Sequence, residues 1–346
     1  MARSPDRDPS SHGRLVHHRV SSAGDLPGVP TEQLVAELLR RLDTTAEGAS
    51  RSDLERNLSL LDNLHERIGT VCEVEENRHS ATHLGAVFLY LEHCYRHFRL
   101  PFQEGVHVDI GCGSVNPYAR MFTHLMLGAA RGYCIDLDPI QDVAPAIRSL
   151  ARLTAAAVLT PRRMFHDYPI EPQQILRNLA GFDLAGLERG DPAAVDPRRL
   201  AFLQRPIEDS GLENGSVDLV VSNSVLEHLP DVDAVLTELA RITRRGGHGV
   251  HGIDTIDHRW YGDPALHPYE FLTIDAKERI VHGCNRLRLH DYPALFERHG
   301  FEILDHIVAN TIRIPAAFRA RMQEPWRTAP DELLEHSWAH VLVRRR

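Results

Sequence analysis

The stretch "VHVDIGCGSVNPYAR", Val106 to Arg120, decides how this chain is read. Val106 to Ile110 is a short apolar run of the kind that forms a buried strand. Gly111-Cys112-Gly113 follows at once. Two glycines so spaced permit a tight turn and leave no Cβ to obstruct a ligand lying against the backbone. Asn116-Pro117 comes next, and proline suits the first turn of a helix. A nicotinamide-binding turn would usually run G-x-G-x-x-G, but the third glycine position here is Asn116. The carboxylate of Asp109 would also repel a pyrophosphate and suits a ligand with a cationic end. Taken alone, G-x-G is equally the signature of an ordinary strand-to-helix turn.

Downstream, strand-like and helix-like segments alternate. "GYCIDLD" (Gly132 to Asp138), "FLQRPIED" (Phe202 to Asp209), "VDLVVSNSV" (Val217 to Val225) and "HGVHGID" (His248 to Asp254) predict the second to fifth strands. Asp231 to Thr243 predicts a helix, stopped by "RRGG". "FEILDHIVA" and "SWAHVLVRR" predict a closing pair. The fold class is α/β: a Rossmann-like, doubly wound, mostly parallel seven-stranded sheet. Amphipathic patterns over Thr31–Leu42, Asp53–Ile68 and His83–Phe98 predict a helical N-terminal extension across residues 31–100, acting as a lid or dimer element. The sheet domain then spans residues 101–346. About sixty residues separate the second and third strands, far more than one helix and two loops need. Residues about 140–200 therefore predict a helical insertion, either peripheral or a lid over the carboxyl ends of the strands.

Composition narrows the class. At 346 residues and 42% hydrophobic, the chain can bury a full core. No run reaches the ~18 apolar residues of a membrane helix. Residues 1–30 are polar and Pro/Ser/Gly-rich, lack the apolar core of a signal peptide, and read as a disordered lead-in. A net charge of −9 with scattered arginines argues against nucleic-acid and acidic-membrane partners. The five cysteines form no C-x-x-C pair and fit free thiols in a reducing cytoplasm. Lys277 is the only lysine, which with abundant alanine points to a GC-rich bacterial genome.

Asp136, about twenty residues beyond the turn, ends the second strand where a carboxylate can accept from both ribose hydroxyls. With "VDIGCGS", "IDLD", "GSVDLVVSNSVLEHLPD" and "RRGG" at these spacings, Val106 to Asp254 resembles a class I S-adenosylmethionine-dependent methyltransferase of the small-molecule type. The resemblance implies that Asp109 and the backbone of Gly111, Cys112 and Gly113 hold the methionine part of the cofactor. It implies that Asp136 holds the ribose, that Leu137 packs on the adenine, and that Ile207 and Glu208 meet the adenine edge. Ser222 and Asn223 would lie beneath the sulfonium. Many relatives carry an aspartate two residues before Glu208, where this chain has Pro206.

Methyl transfer is an in-line displacement in which the protein aligns the nucleophile and takes a proton where needed. Candidate groups stand after the fourth and fifth strands: His228, Asp254, Asp257 and His258. His258, oriented by Asp254 or Asp257, is the expected general base, and His228 is a second candidate. Tyr269, Asn285 and Arg286 are expected on the substrate, with Arg286 and Arg288 suited to a carboxylate or phosphate. A looser likeness of "NRLR" to methyltransferases of polysaccharide and natural-product clusters points the same way. Asp254, Asp257 and His258 could join His251 or His228 around Mg²⁺, but no metal-ligand spacing is visible and no metal is expected. The expected reaction is O-methylation of a small molecule in bacterial specialised or glycan metabolism, yielding S-adenosyl-L-homocysteine, in a cytoplasmic protein that could form a homodimer. N- or C-methylation of a small molecule or peptide is the alternative, followed by a non-catalytic partner subunit and a nicotinamide oxidoreductase. "SNSV" after the fourth strand is unlike the N/D-P-P-Y/F that suits a flipped base.

Overall fold

The computed structural model describes residues 97–346 apart from 101, 160, 166 and 167. The expected lead-in, the three N-terminal helices and any dimer role for them lie outside the described residues. The turn at Gly111 joins β1 (Val106–Ile110) to α1 (Ala119–Met126), as the apolar run and Pro117 predict. The other strands are β2 (Arg131–Asp136), β3 (Leu200–Gln204), β4 (Val217–Asn223), β5 (Thr243–Asp254), β6 (Phe301–Thr311) and β7 (His336–Arg345). They form one seven-stranded sheet in the order β3-β2-β1-β4-β5-β7-β6. Strands β1 to β5 run parallel, while β7 is antiparallel to both β5 and β6. This is a Rossmann-like doubly wound sheet. The strand order reverses between β1 and β4, which opens a crevice outside their carboxyl ends.

Four helices separate β2 from β3: α2 (Val143–Leu159), α3 (Pro161–Phe165), α4 (Pro172–Asn178) and α5 (Leu184–Arg189). Thirteen of the seventeen residues of α2 are buried. Its Ile147, Leu150 and Leu153 share one core with Phe122, Phe182, Leu219 and Val221. Arg199, just before β3, ties α4 to the end of β2's loop by donating to the carbonyls of Asn178, Ala180 and Ala130.

The opposite face carries a second core, in which Val108, Ile110 and Val220 meet Leu236 of α6 (Val232–Ile242) and Phe296 of α7 (Tyr292–Arg298). Leu219 and Val220 thus point to opposite cores, as strand alternation requires. A third apolar cluster, including Ile256, Tyr269, Phe271 and Leu334, underlies the long loop after β5. Two boundaries differ from the sequence reading. β3 ends at Gln204 because Pro206 has no N–H for the ladder, and Ile207–Asp209 is a separate turn of 3-10 helix. Arg244 to Gly247, expected as a stop, already belong to β5, through an irregular register against β4. Among the described residues no helix is long and apolar enough to cross a membrane.

Candidate active site

The crevice is built first from backbone. Gly111 has φ +62° and Gly113 φ +78°, conformations that favour glycine. The N–H groups of Gly111 and Cys112 both donate to the carbonyl of Ile135, at 2.8 and 3.3 Å, so the turn folds over the end of β2. Gly113 N–H donates to Asp136 Oδ2 at 2.8 Å and Asp138 N–H to Oδ1 at 3.0 Å. A carboxylate oxygen accepts two bonds, so each keeps a lone pair for a diol. Leu137, beside it, is an apolar side chain that is 65% exposed. Ile207 is buried and Glu208 exposed at the neighbouring 3-10 turn. Gly113, Asp136 and Leu137 thus converge outside β1 and β2. Cys112 turns its side chain into the core, where burial pushes the thiol well above its usual range.

Asp109, expected at the methionine part of the cofactor, lies inside the fold. It is buried beneath the turn and paired with Arg120 of α1. Burial pushes its pKa up to about 6, and the Arg120 charge and hydrogen bond pull against that rise. Ser222 and Asn223 also contribute less than their position suggests. Ser222 Oγ bonds His251 Nδ1 at 2.8 Å inside the face covered by α7, where His251 stacks on Phe296. That burial lowers the His251 pKa to about 3, which leaves it out of the crevice chemistry. Asn223 folds over Gly252 of β5, close enough that a Cβ there would stand 2.5 Å from its Oδ1.

Side chains dominate beyond β4 and β5. His228 and His258 meet edge to face, with ring centroids 4.6 Å apart. His258 Nε2 lies 3.5 Å from Asp254 Oδ2, the same oxygen that accepts from Tyr261 Oη at 2.5 Å. Asp254, not Asp257, is therefore the carboxylate beside His258. Asp257 holds Arg259 in a bidentate pair and caps the short helix that begins at His258. His228 Nδ1 donates to the carbonyl of Gly283 at 2.9 Å, and burial lowers its pKa, so the ring is neutral at neutral pH.

Three residues expected on the substrate are buried among the loops they hold. Tyr269 is fully buried, donates to the Glu335 carbonyl and lies under the Arg288 guanidinium. Asn285 donates to the carbonyls of Leu226 and Leu229, latching the loop to the end of β4. Arg286 donates to the carbonyls of Phe271, Ile274, Asp275 and Glu278 and stacks on Trp326. Arg288 is fully buried and donates to Thr255 and Leu334 carbonyls. Both guanidinium groups of the "NRLR" run are bonded to loop carbonyls.

Sequence reasoning missed Glu227, Tyr261 and Cys284. Glu227 adjoins His228, is 2% exposed and accepts from Asp254 N–H, and burial followed by the Asp254 charge raises its pKa well above the usual range. Cys284 Sγ lies 3.9 Å from His228 Nδ1 although 56 residues away in sequence, so no local pattern could reveal it.

Comparison with known proteins supports the chemistry at the level of the domain. A family described as a methyltransferase domain matches residues 173–250, from α4 through β3, β4 and α6 into β5. This segment excludes the glycine turn and Asp136, so match and turn are separate observations. No curated protein matches the chain. Among solved structures, a geranyl diphosphate methyltransferase in complex with SAM is 13% identical, with 82% of this chain and 90% of that one covered and a TM-score of 0.44. An S-adenosylmethionine-dependent methyltransferase from Mesorhizobium loti is 17% identical, with 74% and 98% covered and a TM-score of 0.38. Likenesses this remote leave acceptor and mechanism to be argued from the site. The domain match supports a methyltransferase.

Proposed function

We propose that the protein transfers a methyl group from S-adenosylmethionine to a hydroxyl of a small molecule. The observation that carries this reading is the division of the crevice. On the β1/β2 side lie a diol-accepting carboxylate, Asp136, and the uncovered Leu137. On the β4/β5 side lie His228 and His258, backed by Asp254. These residues fit the cofactor: Asp136 for the ribose, Leu137 for the adenine, with Ile207 and Glu208 at its edge. The glycine turn would take the methionine part through its backbone. The cofactor supplies the sulfonium methyl group. With the cofactor bound, His258, beside Asp254, would take the proton of the acceptor hydroxyl as its oxygen receives the methyl group. The acceptor's class, in bacterial natural-product or glycan metabolism, remains the expectation of the "NRLR" likeness.

Calorimetric titration with S-adenosylmethionine and S-adenosylhomocysteine tests the reading. Micromolar binding is expected, weakened at least tenfold by Asp136→Ala, since the variant leaves two ribose hydroxyls without charged acceptors. A folded protein that binds neither compound would overturn it.

A further inference from the structure

We infer that His228, His258 and Cys284 form a binding site for a zinc-class divalent cation at the acceptor end of the crevice. One ligand atom from each residue lies within 4.8 Å of the others. Around zinc, with Zn–N near 2.1 Å and Zn–S near 2.3 Å, tetrahedral ligand atoms stand roughly 3.4–3.6 Å apart. A contraction of about 1 Å closes the site. His228 is exposed and His258 partly so, which leaves both rings room for that adjustment.

The chain builds this cluster with one device. Val281 and Cys284 pair across a two-residue hairpin, with hydrogen bonds of 2.8 and 3.0 Å. Both central residues have positive φ, His282 +51° and Gly283 +80°. The first of these is a costly conformation for a residue with a side chain. The turn delivers two things to one place: the Cys284 thiol, and the Gly283 carbonyl that holds His228 Nδ1–H. With Nδ1 so held, the ring's other nitrogen is the one left for a ligand, and a backbone carbonyl in that role is common behind metal-bound histidines. Nε2 of His258 is buried and makes no hydrogen bond, its nearest carboxylate being Asp254 at 3.5 Å. Two imidazoles and a thiolate select zinc, cobalt or copper over magnesium.

Three protein ligands leave a coordination position open, as in catalytic rather than structural zinc sites. The inference deepens the acceptor half of the methyl-transfer reading, and rests on that reading only for what the cation does. An acceptor hydroxyl or thiol takes the open position, the ion lowers its pKa, and the proton is lost to water. In the loaded protein His258 is a ligand and no longer the base. The acceptor class then consists of molecules whose nucleophile is an alcohol or thiol small enough to reach the ion.

Cobalt(II) and zinc titrations of the full chain test the site. One equivalent of cobalt should give an intense near-ultraviolet thiolate-to-cobalt band with tetrahedral visible bands, bleached by zinc. Cys284→Ser should abolish the thiolate band, and His228→Gln and His258→Gln should each weaken zinc at least tenfold against a chromophoric chelator. Circular dichroism verifies that each variant is folded. Absence of the band in the parent, or its persistence in folded Cys284→Ser, would overturn the site. S-adenosylmethionine binding is measured in parallel: cofactor binding without the band sinks the cation site alone, and the band without cofactor binding sinks the methyl-transfer reading alone.

Discussion

Replacing Arg120 by alanine asks whether the glycine turn stands on a buried ion pair. Asp109 is 1% exposed, and its pKa is pushed up to about 6 from 3.8, chiefly by burial. A carboxyl whose folded value is raised stabilises the native state below pH ~4, and that contribution is lost as the pH climbs through about 6. Arg120 limits the loss, because its charge and hydrogen bond both hold the value down. Without it the carboxyl stays protonated in the native protein to higher pH. Each pH unit from about 6 to about 8 then adds about 1.4 kcal/mol of destabilisation relative to the parent. The variant should lose about 2–3 kcal/mol more at pH 8 than at pH 5, beyond a pH-independent packing loss. Urea unfolding followed by circular dichroism at the two pH values measures the difference, and Arg120→Lys should recover part of it. Equal losses at pH 5 and pH 8 would refute the argument.

Gly111→Ala places a Cβ 2.4 Å from Val225 Cγ2 at a φ of +62°, and should cost about 2–4 kcal/mol in the same unfolding assay. Adding Val225→Ala should relieve the clash but not the backbone strain, so a variant as stable as the parent would disprove the packing described. His258→Gln should lower methyl transfer by about 10²–10⁴-fold while leaving cofactor affinity within about twofold. Asp257→Asn should leave turnover nearly unchanged and cost stability instead, because its carboxylate serves Arg259; the reverse ranking in single-turnover assays would reassign the acceptor side.

The half of the site that was legible in the sequence is the half built from contiguous backbone. A G-x-G turn and a carboxylate at the end of the next strand are fixed by chain order, since parallel neighbours bring Gly113 and Asp136 together whatever else the chain does. Arg120 stood within the same quoted stretch, yet nothing in its sequence position showed that α1 would lay it on Asp109. Charge misled most at "NRLR", where the sequence shows guanidinium groups but not the loop carbonyls and rings that enclose them. Arg286 and Arg288 knit the apolar cluster beneath the post-β5 loop, using four and two carbonyls respectively. Cys284 escaped for the converse reason. Its partners come from two other loops, and only the hairpin at His282-Gly283 aims it at them.

Glu227 is the buried acid behind the acceptor side. It and Asp254 lie side by side in a buried setting, with Asp254 N–H donating to Glu227 Oε1. Two charges so placed repel, and the more deeply buried acid takes up the proton. Glu227 is that acid, raised well above 4.5 by burial and then by the Asp254 charge, while the Asp254 side chain faces His258 and Tyr261. The sign of its pH dependence follows. A raised folded value stabilises the protein below about pH 4.5, and the contribution is lost as the pH rises. As the pH rises above about 4.5 the unfolded chain ionises at this position before the native protein does, so stability falls with rising pH. Glu227→Gln keeps the shape of the protonated acid and binds no proton in either state. It should flatten that part of the profile, losing less stability than the parent between pH 5 and pH 7. Urea midpoints at the two pH values decide it: a variant whose stability falls between pH 5 and pH 7 as steeply as the parent's would mean that burial does not raise the Glu227 carboxyl in the fold.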